Sequence, residues 1–335
     1  MNVSVIGGGS WGLALSNLLS DNQHNVMVYD INEKIVNTIN EKHLCMQLNA
    51  PIDKTITATN HIKEALNHAD ILLFVVPTKV LRAALKDVIK HLDKPKTFIN
   101  AAKGIEPSTF MRISEIITEM VPKAYLNDVI TISGPSHAEE VIQRMATAIT
   151  AASEHSEAAI FAQKLFHNAQ YFRVYSSTDI KGVELGGSLK NIFALAAGII
   201  RGQGLGDNAL AAFMSRALVE MAKIYHYFGA NTETLYGLSG VGDLIVTCTS
   251  PHSRNFQAGY KIGKGKNLAE TLDSMTMVVE GIRTAEAAYG LASDANMETP
   301  IIAAIYDVVF NRIEPQKVVA RLLSRDTKVE DMPKN

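Results

Sequence analysis

Lys190 is the residue of this sequence whose surroundings best suit proton transfer. It lies in segment 183–193, where apolar residues recur at helical spacing and leave Lys190 off the apolar face. Gly186 and Gly187 stand about one turn earlier, and we interpret them as leaving the surface beside the ammonium group open to a ligand. In an enzyme that reduces a ketone by hydride transfer, alkoxide charge develops on the carbonyl oxygen as the hydride reaches the carbonyl carbon. An ammonium group at this place can protonate that oxygen. A solvent-facing lysine beside incidental glycines is the alternative.

A second segment suits the binding of a phosphate group. Ser253 fits the cap of a helix whose first turn contains Arg254 and Asn255. Backbone N–H groups at a helix N-terminus and a guanidinium fork both bind phosphate oxygens. An ordinary helix cap without a ligand is the alternative for this segment.

Further polar residues follow the ends of predicted strands. Gly134 ends one strand, and Ser136 and Glu139 have the spacing of a capping box, so we expect N–H groups to point outward from the carboxyl end of the sheet. Lys103 follows the end of another strand. Asp243 lies in a glycine-rich turn, where a simple turn or capping role is the alternative to a role in a site.

Residues 7–12 match the G-x-G-x-x-G pattern of dinucleotide-binding loops. They follow a predicted strand and open a predicted helix, as the motif requires. Gly7 would permit the tight turn, Gly9 the approach of a pyrophosphate, and Gly12 the close packing of helix on strand. A glycine turn without a ligand is the alternative, but this context favours a dinucleotide.

Asp30 ends the second predicted strand, about twenty residues beyond the glycine loop. A carboxylate at this place accepts hydrogen bonds from both ribose hydroxyls and repels the 2′-phosphate of NADP. It predicts a preference for NAD over NADP, which the nearby Lys34 would partly offset. Asp30 also fits the N-cap of a helix from Glu33 onward, and the two roles are compatible.

The elements that must position these residues divide into two kinds. Up to about residue 178, β-branched runs alternate with helical stretches, a pattern typical of βα units on a mostly parallel sheet. The run 71–76 is apolar at every position, as in a strand covered on both faces. The predicted strands are 2–6, 25–29, 71–76, 97–100, 129–133, 147–151 and 171–175. The predicted helices after residue 179 are 183–200, 209–228, 254–262, 279–289, 299–310 and 315–323. We therefore predict an α/β fold, with a doubly wound Rossmann-type domain over 1–178 and an all-α domain, carrying the substrate and catalytic residues, over 179–335.

Composition excludes several classes of function. The 335 residues carry 32 Lys and Arg against 34 Asp and Glu, so there is no basic field for nucleic acid. Cys45 and Cys248 form neither a disulfide framework nor a zinc motif, so we expect no metal and a reducing compartment. The N-terminus does not resemble a signal peptide, and no uninterrupted apolar run reaches the roughly 20 residues of a membrane span. We therefore expect a cytoplasmic protein with neither nucleic acid nor membrane as a partner.

Taken in order, these segments resemble those of NAD(P)-dependent sn-glycerol-3-phosphate dehydrogenases of the bacterial soluble type. The resemblance extends from Gly7 to about Arg321. Its most specific segments are KGIE at 103–106, SGPSHA at 133–138, GGSLKN at 186–191, GVGDL at 240–244 and SRN at 253–255. Five matching segments in the same order are far more specific than the glycine loop alone.

The resemblance implies hydride transfer between NAD(P)H and C2 of dihydroxyacetone phosphate, which supplies glycerol 3-phosphate for phospholipid synthesis. It implies that Lys190 is the general acid, that Asp243 orients Lys190 or a substrate hydroxyl, and that the protein is a homodimer. The implied substrate residues are Lys103, Gly134, Ser136, Lys190, Asp243, Ser253, Arg254 and Asn255. The implied cofactor residues, besides the glycine loop and Asp30, are Ser10, Trp11, Lys103, Ala138, Arg254, Val278 and Glu280. Many relatives carry Arg or His after the second strand, where this chain has Asp30 and Ile31, and this difference counts against NADP.

Two other functions are compatible with parts of this pattern. A β-hydroxyacid or 6-phosphogluconate type dehydrogenase also joins a Rossmann domain to a helical domain with a catalytic lysine, but segments 103–106 and 253–255 argue against it. A nucleotide-sensing or scaffolding protein without turnover would not need Lys190 together with every implied substrate residue.

Overall fold

The structure is a computed structural model that describes residues 1–275, 279–327 and 329–330. The chain divides into two compact units. The N-terminal unit comprises Met1–Lys103 and Ile113–Ile180, and the C-terminal unit comprises Gly104–Arg112 and the chain from Lys181 onward. The sequence predicts a single boundary near residue 178. The structure adds a short segment, residues 104–112, which belongs to the C-terminal unit although the chain before and after it belongs to the N-terminal unit. We call this segment the excursion.

The N-terminal unit is built on an eight-stranded sheet. The strands of this unit are β1 (Asn2–Ile6), β2 (Asn25–Tyr29), β3 (Leu44–Cys45), β4 (Ala50–Pro51), β5 (Thr57–Thr59), β6 (Ile71–Phe74), β7 (Lys96–Asn100), β8 (Leu126–Ser133), β9 (Thr147–Ala152) and β10 (Phe172–Ser177). The large sheet has the order β10-β9-β8-β7-β6-β1-β2-β5, and β3 and β4 form a separate antiparallel pair. Neighbours in the large sheet are parallel except β8 and β9, which are antiparallel. The prediction of a mostly parallel sheet is confirmed.

Strand β1 marks the point where the order of the sheet reverses. Its neighbours are β2 on one side and β6 on the other, so successive connections leave β1 in opposite directions. Ligands of open α/β sheets bind beyond the carboxyl ends of the strands at such a point. All four residues of β6 are buried, as the run of apolar residues predicts for a strand covered on both faces.

Helices complete both units. Those of the N-terminal unit are α1 (Ser10–Asp21), α2 (Glu33–Asn37), α3 (Ile62–His68), α4 (Thr78–Ile89), α5 (Ile113–Met120), α6 (Ala138–Val141) and α7 (Ser156–Phe166). The remaining helices are α8 (Ile180–Gly202), α9 (Asp207–Tyr227), α10 (Asp243–Thr249), α11 (Arg254–Gly263), α12 (Leu268–Asp273), α13 (Glu280–Asp294), α14 (Pro300–Val309) and α15 (Pro315–Leu323). The six predicted helices of the second half are confirmed with ends shifted by a few residues, whereas α10 and α12 were not predicted.

Helix α8 forms the centre of the C-terminal unit. By length and composition it is the one helix of the described residues that is long and apolar enough to cross a membrane, and 94% of its most apolar stretch is buried within the protein. Its apolar side chains between Leu185 and Ile199 belong to the core of this unit. Packing in that core accounts for the apolar character of α8.

The excursion 104–112 is anchored on α8. The backbone N–H of Gly104 donates to Ser188 Oγ at 2.9 Å, and Ile105 joins the core of the C-terminal unit. At its other end, Arg112 Nη1 donates to Glu184 Oε2 at 2.7 Å, and each of these two side chains is only 4% exposed. A hydrogen bond at one end of the excursion and a buried ion pair at the other therefore tie it to α8.

A buried carboxylate on α9 caps α14. The two carboxylate oxygens of Glu220 accept hydrogen bonds from the backbone N–H groups of Ile301 at 2.6 Å and Ile302 at 3.0 Å. Burial raises the pKa of Glu220 to about 7, although these two hydrogen bonds and the charges of Lys223 and Arg325 act in the opposite direction. The folded protein therefore holds a proton on this carboxyl at a pH where the unfolded chain has lost it.

Stability is expected to fall as the pH rises from about 4.5 to about 7. Because the pKa of Glu220 is higher in the folded state, the stability linked to its proton is complete below the unfolded pKa and is lost as the pH passes through the folded pKa. The loss amounts to about 3 kcal/mol over that window. Urea unfolding at pH 5 and pH 8 measures it, and Glu220→Gln should show a correspondingly smaller difference between the two pH values. Identical pH profiles for the two proteins would contradict this role of Glu220.

Candidate active site

Lys190 lies near the middle of α8 and is held by two side chains from α10. Its Nζ donates to a carboxylate oxygen of Asp243 and to Thr247 Oγ1, the latter at 2.8 Å. The side chain of Lys190 is 7% exposed and that of Asp243 is completely buried. The structure therefore places the ammonium group in a buried, charge-paired position and not on an open helix surface.

Gly186 has a different role from the one that the sequence suggested. A Cβ atom at this position would lie 2.3 Å from the carbonyl oxygen of Ser239 and 2.7 Å from the Tyr225 hydroxyl oxygen. The glycine therefore lets the segment before α10 and the Tyr225 side chain pack directly on α8. The interpretation that Gly186 exposes Lys190 to a ligand is wrong, because this close packing occupies the space.

Asp243 is the first residue of α10, and Thr247 follows it by one helical turn. The Thr247 hydroxyl donates to the backbone carbonyl of Asp243 at 2.6 Å, so its oxygen is directed to accept from Lys190. The sequence alone does not single out Thr247. The four-residue spacing was the available signal, but it becomes informative only once α10 is known to be a helix.

Cys248 lies beside this cluster and is fully buried. Burial raises the pKa of its thiol to about 12, although the positive charge of Lys190 lowers it. The residue is therefore a neutral thiol at physiological pH and does not add a charge to the cluster.

The predicted cap of α11 is confirmed. Ser253 is the N-cap residue, and its Oγ accepts a hydrogen bond from the backbone N–H of Phe256 at 3.2 Å. Arg254, the first residue of the helix, is exposed, and its side chain makes no hydrogen bond or ion pair with any residue that the structure describes. A ten-residue helix thus begins with an unneutralised guanidinium group beside its N-terminus.

Asn255 is buried and joins three helices. Its Nδ2 donates to Asn191 Oδ1 at 2.9 Å, and its Oδ1 accepts from the backbone N–H of Gly281 at 2.8 Å. These bonds connect α11 to α8 and α13, so Asn255 fixes the helix that carries Arg254 next to the one that carries Lys190. Two further residues of the C-terminal unit are predicted to contact the cofactor. Of these, Glu280 is the first residue of α13, and Val278 lies outside the described residues.

The glycine loop in the N-terminal unit has the geometry that the motif predicts. Gly7 has φ +118°, a conformation that other residues rarely adopt. A Cβ atom at Gly12 would lie 2.0 Å from the Gly7 carbonyl oxygen, so Gly12 allows α1 to pack against the end of β1. A Cβ atom at Gly9 would meet nothing within 4 Å, so the backbone there faces open space.

The two residues that follow Gly9, Ser10 and Trp11, also belong to the candidate pyrophosphate site. Ser10 is 6% exposed, and its Oγ is buried without a hydrogen-bond partner among the described residues. A buried hydroxyl that lacks a partner loses the free energy of its hydrogen bonds to water, and a ligand oxygen would restore it. Trp11 is half-buried and packs on the core of this unit. The open backbone and the unsatisfied hydroxyl both fit the pyrophosphate of a dinucleotide.

Asp30 is bonded to the glycine loop itself. Its two carboxylate oxygens accept from the backbone N–H groups of Gly8 at 2.8 Å and Asn32 at 2.9 Å. The N-cap of α2 is Asn32, whose side chain accepts from the N–H of Lys34 at 3.0 Å, so the alternative role of Asp30 as that cap is wrong. Asp30 therefore connects the end of β2 to the loop that follows β1.

The ends of β7 and β8 bring three predicted residues together. Lys103 Nζ donates to the carbonyl oxygen of Gly134 at 3.3 Å, and Ser136 Oγ donates to the same oxygen at 3.0 Å. The predicted capping box between Ser136 and Glu139 is wrong, because α6 begins at Ala138 and the Ser136 hydroxyl is turned back toward Gly134.

The predicted residues thus form separate groups within each unit. The N-terminal unit groups Lys103 with Gly134 and Ser136, and groups Asp30 with the glycine loop. The C-terminal unit groups Lys190 with Asp243. Among the described residues no cluster of three or more His, Cys, Asp or Glu side chains has an arrangement that could hold a metal ion.

Comparisons with known proteins cover both units. A family model described as the NAD-dependent glycerol-3-phosphate dehydrogenase N-terminus matches residues 2–159, and the corresponding C-terminus model matches residues 179–320. The glycerol-3-phosphate dehydrogenase (NAD(P)+) of Bacillus cytotoxicus is 51% identical over 330 residues, which are 98% of this chain and 96% of that protein.

Solved structures give the same result. The crystal structure of a glycerol-3-phosphate dehydrogenase from Coxiella burnetii has a TM-score of 0.91 and 31% identity, covering 97% of this chain and 99% of that one. A glycerol-3-phosphate dehydrogenase from Saccharomyces cerevisiae, with a TM-score of 0.82, 24% identity and coverage of 96% of this chain and 98% of that one, shares the fold.

Proposed function

The chain belongs to the NAD-dependent glycerol-3-phosphate dehydrogenase family, and from this premise we propose how its residues carry out the reaction. The reaction interconverts dihydroxyacetone phosphate and sn-glycerol 3-phosphate with NAD(P)H, and the matches do not favour a β-hydroxyacid or 6-phosphogluconate type dehydrogenase. The observation that carries the assignment of residues is the buried ammonium group of Lys190, held by Asp243 and Thr247.

The N-terminal unit binds the dinucleotide. Gly9 and Ser10 hold the pyrophosphate at the start of α1, where N–H groups and the helix dipole favour an anion. Gly7 and Gly12 give the loop its shape, and Trp11, Lys103 and Ala138 contribute further contacts to the cofactor. Arg254, Val278 and Glu280 belong to the other unit, and we propose them as cofactor residues on the family resemblance alone. When bound, the reduced nicotinamide supplies the hydride.

Lys190 donates a proton to the C2 carbonyl oxygen of dihydroxyacetone phosphate and accepts it again in the reverse direction. Asp243 and Thr247 hold Nζ in one orientation, which lowers the entropic cost of placing the proton donor. The Asp243 carboxylate also stabilises the ammonium form, which restores the proton donor after each turnover. Gly134 and Ser136 complete the binding of the substrate.

Arg254, with Ser253 and Asn255, binds the substrate phosphate. The guanidinium group of Arg254 is exposed and not neutralised by any described carboxylate, and it stands at the N-terminus of α11. Bidentate hydrogen bonds from arginine and N–H groups of a helix N-terminus are a common combination for phosphate binding.

Arg254→Ala is expected to raise the KM for dihydroxyacetone phosphate by about tenfold to a hundredfold, because hydrogen bonds to charged groups contribute about 1.5–3 kcal/mol. Steady-state kinetics with saturating NADH measures the change. Arg216→Ala is the matched control, since Arg216 is also exposed in the C-terminal unit and makes no ion pair with a described residue. An unchanged KM for Arg254→Ala would contradict this phosphate site.

We also propose that NADH is preferred over NADPH, with kcat/KM higher by about tenfold or more. The carboxylate of Asp30 would repel a 2′-phosphate and accept hydrogen bonds from the ribose hydroxyls. Parallel assays of NADH and NADPH oxidation with dihydroxyacetone phosphate test both the activity and the preference. Asp30→Asn keeps an oxygen for the Gly8 N–H and should bring the kcat/KM for NADPH closer to the kcat/KM for NADH. A higher kcat/KM with NADPH in the unchanged protein would reject this role of Asp30, while absence of oxidation with either cofactor would reject the proposed function.

The reaction supplies glycerol 3-phosphate for phospholipid synthesis, and we place the protein in the cytoplasm as a homodimer. The 32 positive and 34 negative residues give a net charge of -2, and this small net charge supports a small-molecule substrate over nucleic acid.

A further inference from the structure

The C-terminal unit contains a cavity that the proposed reaction does not use. Its volume is about 360 Å³, within the range of roughly 300–1,000 Å³ that small-molecule sites occupy. The end of α11, the turn that follows it, the end of α14 and the start of α15 form its walls.

The charged residues that line this cavity are mostly positive. Lys264, Lys266 and Arg312 face it with one acidic residue, Glu314, and the Glu314 carboxylate pairs with Lys317 at 3.1 Å. Lys264 lies over the ring of Tyr260, at 5.5 Å from the centroid. Lys266 and Arg312 make no ion pair with any described residue. Three cations against one neutralised carboxylate favour a ligand with two negative charges over one with a single charge.

Apolar side chains line another part of the cavity wall. Val308, Val309 and Ile262 contribute buried side chains, and Leu268 and Ile313 contribute partly buried ones. A ligand that fills the cavity therefore gains free energy from burying apolar surface as well as from its charge. A phosphate monoester that carries an alkyl or acyl chain combines both properties, and arginine suits its phosphate oxygens.

This cavity lies away from the catalytic residues on the same helices. Gln203, which lines it, follows the end of α8 and is about 20 Å from Lys190 along the helix axis at 1.5 Å per residue. Gly263, another lining residue, ends α11, whereas Arg254 begins it, about 14 Å away. The cavity is therefore separate from the proposed phosphate site.

We propose that this cavity is a second anion site, which binds a phosphate monoester with an alkyl or acyl chain. Two sources share this chemistry: a free phosphate monoester in solution and the headgroup region of an anionic phospholipid.

Calorimetric titration of the full chain with n-octyl phosphate tests the proposal. We expect at least about tenfold weaker binding in the double variant Lys266→Gln/Arg312→Gln, and at least tenfold weaker binding of inorganic phosphate and of octanol to the unchanged protein. The variant Arg254→Ala should bind octyl phosphate as the unchanged protein does, which separates this site from the substrate site. Lys54→Gln/Arg216→Gln, which alters two exposed cations elsewhere, is the control and should bind normally.

Several outcomes would overturn the proposal: no binding of octyl phosphate, equal loss in the control and the double variant, or equal affinity for inorganic phosphate. Because Lys266 and Arg312 are exposed, the double variant should keep its KM for dihydroxyacetone phosphate and its unfolding transition, which shows that it is folded.

Sedimentation with vesicles of phosphatidylcholine and phosphatidic acid distinguishes the two sources of the ligand. Sedimentation that depends on Arg312 supports a lipid headgroup, and binding of octyl phosphate alone supports a free monoester.

Discussion

Lys190→Ala is expected to lower kcat for the reduction of dihydroxyacetone phosphate by at least about a hundredfold, the lower end of the range for a general acid. The alkoxide charge that develops on the substrate oxygen would then lack its proton donor. The KM for the cofactor should change little, since Lys190 is not among the residues that we assign to cofactor binding.

This variant also leaves Asp243 as a buried carboxylate without its lysine partner, so a loss of stability must be separated from a loss of chemistry. The double variant Lys190→Ala/Asp243→Ala removes the unbalanced charge and should regain stability without regaining activity. Lys181→Ala is the matched control, because Lys181 lies on the same helix and donates to the carbonyl of Phe228 instead. A kcat near that of the unchanged protein in folded Lys190→Ala would refute the assignment.

Arg112→Met is expected to destabilise the protein by about 3–5 kcal/mol, the usual cost of leaving one member of a buried ion pair without its partner. Glu184, whose side chain is 4% exposed, would lose the guanidinium group that it faces in the folded protein. Equilibrium unfolding in urea measures the change, and the double variant Arg112→Met/Glu184→Leu should recover most of it because no charge remains buried.

The comparison pair for this experiment is Arg82 and Glu119, which lie 2.8 Å apart but are 32% and 52% exposed. Arg82→Met should cost less than about 1 kcal/mol, since exposed pairs are hydrated and screened by salt. A loss of less than 1 kcal/mol for Arg112→Met as well would mean that the pair does not hold the excursion on α8.

The sequence predicts the larger elements of the fold because their patterns are strong. The run that contains β6 is apolar on both faces, and the long helices α8 and α9 repeat apolar residues at helical spacing. The strand β5 has three residues and the helices α10 and α12 have seven and six, so too few apolar repeats are present to identify them.

The site is less predictable, because its bonds join residues that are distant in the chain. Lys190 reaches Asp243 across 53 residues and Thr247 across 57, and no local pattern shows that these side chains meet. The spacing of Gly186 is visible in the sequence, but its reason is the approach of the Ser239 carbonyl, which requires the tertiary structure. Ser136 has the spacing of a capping residue, yet its hydroxyl bonds to Gly134 because the helix starts later.

The excursion 104–112 affects the order in which the protein can fold during synthesis. The chain passes from one unit to the other after Lys103, after Arg112 and after Ile180, so no single cut yields either unit intact. Arg112 leaves the ribosome 72 residues before Glu184, so the ion pair between them cannot form until this part of α8 has been made. Domains generally fold as units while the chain is made, starting from the N-terminus. Here the sheet can form first, but the nine residues that interrupt it must wait for α8 before they reach their final place.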